Sequence, residues 1–321
     1  MPDGLQALRE LGIALNPCDG HPFRGIRFLS SGFSADAPFP CGGVGLAVRR
    51  TTLHSTLADR AAAEGVELLW RTAVNGISGD GVHLGSRKVC AKWIVGADGA
   101  NSRVRGWAGL NARARTSLRY AFRQHYRMKP WSDHMEVYWG DRSQGYATAV
   151  SGEEVCVAVA SRDAKLRVHH ALSALPVLNA RLRDAEITSA ERGALTANST
   201  LKRVYRGNVA LVGDASGTVD AITGQGLGLA FSQAVTLAQC FRAGNLEPYQ
   251  AEHRRLALRP LFMARLMLTL DGRPRLQRRT LQVFRQKPEI FQRLLALHVG
   301  ALPPKSLAFD GISLGWGLLT A

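Results

Sequence analysis

Two clusters of glycine and carboxylate stand out, each directly after an apolar run. Gly96-Ala-Asp-Gly-Ala-Asn-Ser-Arg-Val-Arg105 follows Lys92-Trp-Ile-Val. Val209-Ala-Leu-Val-Gly-Asp-Ala-Ser216 leads on to Thr223-Gly-Gln-Gly-Leu-Gly228. A carboxylate and glycines at a strand's carboxyl end sit where open α/β sheets bind ligands. Asp98 and Asp214 can accept hydrogen bonds from hydroxyls, and Arg103 or Arg105 can face a phosphate. Gly99 admits a positive φ or a close backbone approach. The glycines before the apolar stretch 227–240 put a helix N-terminus, with its unpaired N–H groups, beside Asp214. That terminus suits an anionic or electron-rich group. Arg50, at the start of another helix, can reach the same kind of ligand. Each cluster also has a plainer reading: an Asp-Gly turn capped by Ser102, a glycine-permitted helix crossing, and a solvated Arg.

The elements that must carry these residues follow from periodicity. Residues 3–11 read as a short helix stopped by Gly12. Residues 25–48 are punctuated by Gly and Pro, with short extended runs. Leu53, Leu57, Ala58 and Ala61 give 50–63 a helical face, closed by Gly65. Strands are predicted over 66–70, 74–77, 82–84 and 92–96. Four longer strands, 119–128, 134–139, 144–150 and 155–161, form a meander. Residues 166–185 turn helical, 209–212 are a strand, and 248–300 are mostly helical and basic. Aromatics and a His in the meander (His125, Tyr126, Trp139, Tyr146) are candidates for facing a substrate, or for cross-strand pairing alone. No single acid or base stands out, so no catalytic residue is assigned. His169-His170 reads as solvated.

Composition narrows the function classes. The chain has 321 residues, 46% hydrophobic and 21% charged, which is an ordinary globular balance. It has no apolar run long enough for a membrane span and no signal-peptide pattern. Its five cysteines are far apart and form no C-x-x-C, so no metal site is expected and the thiols read as reduced and mostly buried, in a cytoplasmic protein. The formal charge is +16, and residues 242–300, with 12 basic and 4 acidic residues, hold half of that excess. No nucleic-acid motif accompanies it. A peripheral membrane contact through these helices is the partner reading it leaves open, beside a solvated helical face.

Taken in order, about 115 residues apart, with Arg50 before them and a β meander between, the two Gly/Asp clusters resemble flavin-dependent monooxygenases of the para-hydroxybenzoate hydroxylase type. Geranylgeranyl reductases and flavin-dependent halogenases share that superfamily. The resemblance implies a mixed α/β fold: a Rossmann-like FAD-binding domain (1–115 and 195–245), an inserted β-rich substrate domain (116–194) and C-terminal helices (246–321). It implies FAD, with NAD(P)H as a candidate reductant. The cofactor residues it implies are Arg50, Val74, Asp98, Gly99, Gly213, Asp214, Gly224, Gln225, Gly226 and Leu227. Val74 belongs to a strand whose backbone would flank adenine, and Gly224 to Leu227 to the loop beside the isoalloxazine ring.

The implied reaction is monooxygenation of an apolar or aromatic small molecule. The alternative is reduction of a polyprenyl-type substrate at a membrane surface. No Trp-x-Trp-x-Ile-Pro pattern supports the halogenase branch. The family's opening strand, G-x-G-x-x-G turn and ribose-binding acid have no counterpart in the sequence, and Gly42-Gly-Val-Gly45 does not replace them. Two expectations follow: a longer native chain that supplies the unit, or a truncated remnant with weak or no FAD binding.

Overall fold

A computed structural model describes residues 1–30, 32–111 and 116–303. The end of the C-terminal region, 304–321, lies outside the described residues.

The largest sheet has an eight-strand path. In spatial order it runs Gly217–Thr218, Arg192–Thr200, Thr116–Arg127, Glu154–Ser161, Ser143–Ser151, Met135–Trp139, Gly25–Ser30, Phe33–Pro38. The four meander strands fall close to their predicted bounds, because alternation and turn signals mark both ends. The punctuated stretch 25–48 supplies two more. Gly25–Ser30 lies parallel to Met135–Trp139, with Phe28 opposite Val137.

Alternation sends the two faces of this sheet to different partners. Ile26, Phe28, Val137 and Trp139 face one way, into a core shared with the C-terminal helices. Tyr126, Tyr138 and Val157 face a second core. That second core is covered by the helices predicted within 166–185, which are two short ones: α4 (Val168–Ser173) and α5 (Pro176–Leu182), given the numbers they take in chain order. The remaining helices are α1 (Pro2–Glu10), α2 (Arg50–Ala63), α3 (Arg103–Trp107), α6 (Gly226–Arg242), α7 (Glu247–Leu270), α8 (Pro274–Gln286) and α9 (Pro288–His298).

A second, small sheet positions the two Gly/Asp clusters. Val209–Leu211 pairs in parallel with Ile94–Gly96, and Tyr205–Arg206 flanks it. Leu211 stands opposite Gly96, so the two clusters leave the sheet side by side. A Cβ on Gly96 would meet Leu211 Cδ2 at 2.6 Å, and this glycine therefore sets how close the neighbouring side chains come. Among the described residues the other edge of Ile94–Gly96 has no partner strand, and Val95 is 40% exposed.

Three expectations need correcting. The predicted strand 66–70 is irregular, and Val66, Leu69 and Trp70 are exposed. β propensity alone does not hold an apolar run extended without a neighbouring strand to pair with. Val74 likewise lies in irregular chain, ahead of the strand Gly76–Ser78. The thiols are all free, but Cys18, Cys41 and Cys90 are exposed; they sit on short 3₁₀ turns and at the end of a short strand, which no core covers.

Candidate functional site: a polar groove against an apolar cavity

Three glycines of the two clusters adopt left-handed φ: Gly99 (81°), Gly213 (60°) and Gly224 (63°). A side chain there costs roughly 1–2 kcal/mol. Gly99 turns the chain after Asp98. The Asp98 carboxylate then accepts from Ser102 Oγ at 2.5 Å and from the backbone N–H groups of Arg103 and Val104 at 2.7 and 3.1 Å. Asp98 therefore caps α3, and these bonds hold its carboxyl below the ordinary range even though burial opposes them. Arg105 donates to the carbonyl of Ala215 at 3.1 Å and to that of Ala100 at 2.9 Å. One guanidinium thus ties together the two clusters that the sequence separates. Arg103 lies over the Trp107 ring.

Asp214 is different. Its carboxylate makes no hydrogen bond among the described residues, and the residue is exposed although its carboxyl is partly desolvated. Burial raises its pKa, and the charge of Arg50 partly offsets the rise. The turn beneath it is held from the inside. Gln233 Oε1 accepts from the Gly213 N–H at 2.8 Å, and Ser216 Oγ lies 2.7 Å from His253 Nε2. His253 is buried, which pushes its pKa down to about 4, so it is a neutral partner at pH 7. Gln233 and His253 carry no motif in the sequence; their only signal is polarity on otherwise apolar helix faces.

Arg50 and Leu227 line one groove of about 360 Å³, together with His54 and Trp70, whose rings stack 5.7 Å apart. The N-terminus of α6, with Gly226 and Leu227 exposed, forms part of its rim. Gln225 turns inward instead and donates to the carbonyl of His298. The structure thus gathers Arg50, Asp214 and Leu227, sets Gly213, Gly224 and Gly226 in the turns between them, and places Asp98 and Gly99 next door through Arg105. It does not give Val74 a strand.

Behind the same loop lies a cavity of about 110 Å³ between the large sheet and helices α7, α8 and α9. Its walls are almost wholly apolar: Phe28, Trp139, Met263, Leu270 and Phe291 among them. Phe28 stacks on Trp139 at 4.6 Å and contacts Phe291 at 5.4 Å. Ile222, Thr223 and His298 close it on the side of the Gly224–Leu227 loop. Of the meander candidates, Trp139 forms the wall and Tyr146 packs behind it. Tyr126 belongs to the opposite core, and His125 bonds to Ser189. Both His169 and His170 are exposed.

A buried ion pair joins the sheet to the loop. Arg119, 0% exposed, lies 3.4 Å from Asp220 and donates to Gln144 Oε1 at 3.2 Å. Asp220 accepts from the Ile222 N–H at 3.0 Å, and its own N–H donates to Asn198 Oδ1 at 2.8 Å. Burial raises the Asp220 pKa, and Arg119 opposes that rise. The pair fixes the chain that leads into Thr223 and Gly224. Sequence reasoning misses it because a lone Arg in an alternating strand reads as solvent-facing.

An exposed carboxylate with no hydrogen bond among the described residues, a nearby Arg, and a helix N-terminus beside a stacked His/Trp pair fit a planar group with hydroxyls and an electron-rich edge. The residues present therefore fit the isoalloxazine and ribityl end of FAD. Arg50, Asp214, Gly226 and Leu227 would hold it. Comparison with known proteins agrees. The FAD binding domain family matches residues 45–245. Digeranylgeranylglycerophospholipid reductase of Methanocaldococcus jannaschii is 28% identical over 204 residues, 58% of this chain and 52% of the relative. The chain thus spans about half the length of the curated relatives it matches. Among solved structures, a flavoprotein/dehydrogenase from Cytophaga hutchinsonii superposes with a TM-score of 0.74 at 17% identity, covering 92% of this chain and 79% of that one. A probable FAD-dependent monooxygenase from Pseudomonas aeruginosa superposes with a TM-score of 0.69 at 20% identity, covering 85% of each.

Proposed function

Because the chain belongs to the FAD binding domain family, we propose that it is an FAD-dependent oxidoreductase, monooxygenase-like, acting on an apolar or aromatic small molecule. The observation that carries this is the contiguity of groove and cavity. Thr223 lines the cavity, and four residues later Leu227 lines the groove. Bound FAD would supply the redox chemistry, with NAD(P)H as its reductant. The chain's own residues do the rest. Arg50 and Asp214 orient the cofactor, and the α6 N-terminus favours the negative charge of its reduced form. The cavity excludes water from an apolar substrate. In this reading 1–115 and 195–245 are the FAD-binding part, 116–194 the substrate part and 246–321 the helical cover, with 25–38 lending two strands to the substrate sheet.

The test is direct. The purified chain, given FAD and desalted, should retain flavin absorbance near equal stoichiometry and should bleach anaerobically with NADH or NADPH. A chain that stays colourless with excess FAD overturns the reading.

A second reading, reduction of a polyprenyl-type chain, is favoured by the named activity of the archaeal relative and by α7. Leu258 (62% exposed) and Phe262 stand out on that helix near Arg255 and Arg265, and α8 adds exposed Arg275, Arg278 and Arg279. Such a face suits an anionic membrane surface. Salt-sensitive pelleting with anionic liposomes would favour it; no pelleting at low salt discards it. No helix among the described residues is long and apolar enough to cross a membrane. Exposed free thiols fit a reducing, cytoplasmic setting.

A further inference from the structure

His298, the last residue of α9, is 5% exposed and lines the apolar cavity. Among the described residues its Nδ1 has no hydrogen-bond partner. Burial pushes its pKa down to about 3, with Arg259 adding to the effect, so the ring is neutral at pH 7. A neutral imidazole has one donor and one acceptor nitrogen. The Thr223 backbone raises the ring's proton affinity, as a carbonyl facing a ring N–H does; with Nδ1 unpartnered, we assign that proton to Nε2 and the acceptor role to Nδ1. The threonine hydroxyls of the wall are spoken for as donors, whereas the Trp139 Nε1–H, like His298 Nδ1, has no partner among the described residues. Thr223, Thr269 and Thr280 donate to the carbonyls of Asp220, Leu266 and Leu276. Among the described residues no Lys, Arg, Asp or Glu lines the cavity, so an ionised ligand would be desolvated without compensation.

We propose that the cavity selects a neutral, apolar molecule carrying a hydrogen-bond donor, and that His298 Nδ1 accepts that donor. The proposal rests on the reading of the cavity as the substrate site. An unmet buried acceptor costs about 1–3 kcal/mol, and a ligand that supplies the donor recovers it. The same physics lets a site built around one hydroxyl reject the analogue that lacks it. His298 is thus a specificity-determining residue beside the loop that carries the cofactor residues. The Gln225 amide anchors it, through the bond to its carbonyl.

The test uses two probes of equal shape, para-ethylphenol and para-ethyltoluene, titrated calorimetrically into the full chain. The phenol should bind about tenfold tighter or better, as one hydrogen bond predicts. His298→Phe should abolish that preference while keeping the affinity for para-ethyltoluene. His298→Gln, whose side-chain oxygen still accepts, should retain part of it. In the wild-type chain the nitrogen NMR signal of Nδ1 should shift with the phenol and stay still with the toluene. This measurement stands even where a variant fails to fold. Equal affinities, an unmoved Nδ1 signal, or a preference that survives His298→Phe would each overturn the proposal. A chain that never retains FAD yet keeps the preference overturns the redox reading alone. A flavin-loaded enzyme without the preference overturns this inference alone.

Discussion

The groove beside α2 and the cavity beneath α7 to α9 differ in what closes them. The groove is walled mainly by α2, with Trp70 and Leu227 completing its lining. Its rim is open, with Trp70 61% exposed, and the Asp214 carboxylate near Arg50 makes no hydrogen bond among the described residues. The cavity lies between a large sheet and three helices, and its aromatic rings stack on one another. Polar atoms are left free for a ligand on one side, whereas apolar area is packed against itself on the other. Substitutions in the groove should therefore alter binding more than stability. Those at the seam between groove and cavity should alter both.

The largest effect is expected at that seam. Arg119→Met leaves Asp220 as an uncompensated buried carboxylate, since the pair is fully enclosed. Breaking such a pair from one side costs about 3–5 kcal/mol. Urea unfolding should show the loss, and flavin retention should fall with it, because Asp220 sets the path of the loop. Unchanged stability would mean that the two halves are not coupled through this pair. Next comes acid sensitivity. The folded chain holds His253 neutral down to about pH 4, while the ordinary value is 6.5. A lowered folded pKa means stability present above pH 6.5 and lost as pH falls toward 4. By pH 4.5 this one group should cost ~2 kcal/mol. His253→Gln removes the titration, so comparing urea midpoints at pH 7 and 4.5 isolates it from His298, which titrates in the same direction.

The same contrast explains what the sequence reveals. The meander is legible because its strands alternate and its turns are marked. Arg192–Thr200 is missed: Gly193, Ala194, Asn198 and Ser199 have little strand propensity, and pairing with Thr116–Arg127 imposes the conformation. Conversely, 66–70 looks like a strand and is not one, because no neighbour pairs with it. In the site, Gly213, Asp214 and Gly224 are legible because glycine and aspartate after a strand are local signals, whereas of the groove lining only Arg50 and Leu227 are expected and His54 and Trp70 carry no motif. Arg119, His253 and His298 are not legible. Their roles depend on partners far along the chain, 101 residues away in the case of Asp220. Asp98 shows a legible motif whose local role the structure adds: its carboxylate caps α3.

A third prediction concerns how tightly the Gly224–Leu227 loop is seated. Gly228, in the first turn of α6, meets Gly4 of α1 backbone to backbone; a Cβ on it would lie 3.3 Å from Gly4 Cα. Gly228→Val forces the helices apart, at about 1–3 kcal/mol for overpacking. Thermal unfolding should show it, and flavin retention should weaken because α6 carries Gly226 and Leu227. Gly106→Val, where nothing stands within 4 Å of the added Cβ, is the control and should leave flavin retention intact.

The smallest effect on stability, and the sharpest separation of binding from folding, is expected at Asp214. Its pKa is raised by burial, so the folded chain disfavours the ionised form. The stabilising linkage is then complete below the unfolded value of 3.8 and is lost as pH rises through the raised folded one. Asp214→Asn cannot ionise. It should match the wild type below pH 3.8 and unfold at a slightly higher urea concentration at pH 7. Flavin affinity should move the other way. Removing a charged acceptor from a ligand hydroxyl costs about 1.5–3 kcal/mol, or roughly 10- to 100-fold in Kd by flavin fluorescence titration. A variant that gains stability and loses flavin is the signature of a carboxylate kept for a ligand. One that loses both would place Asp214 in the fold rather than in the site.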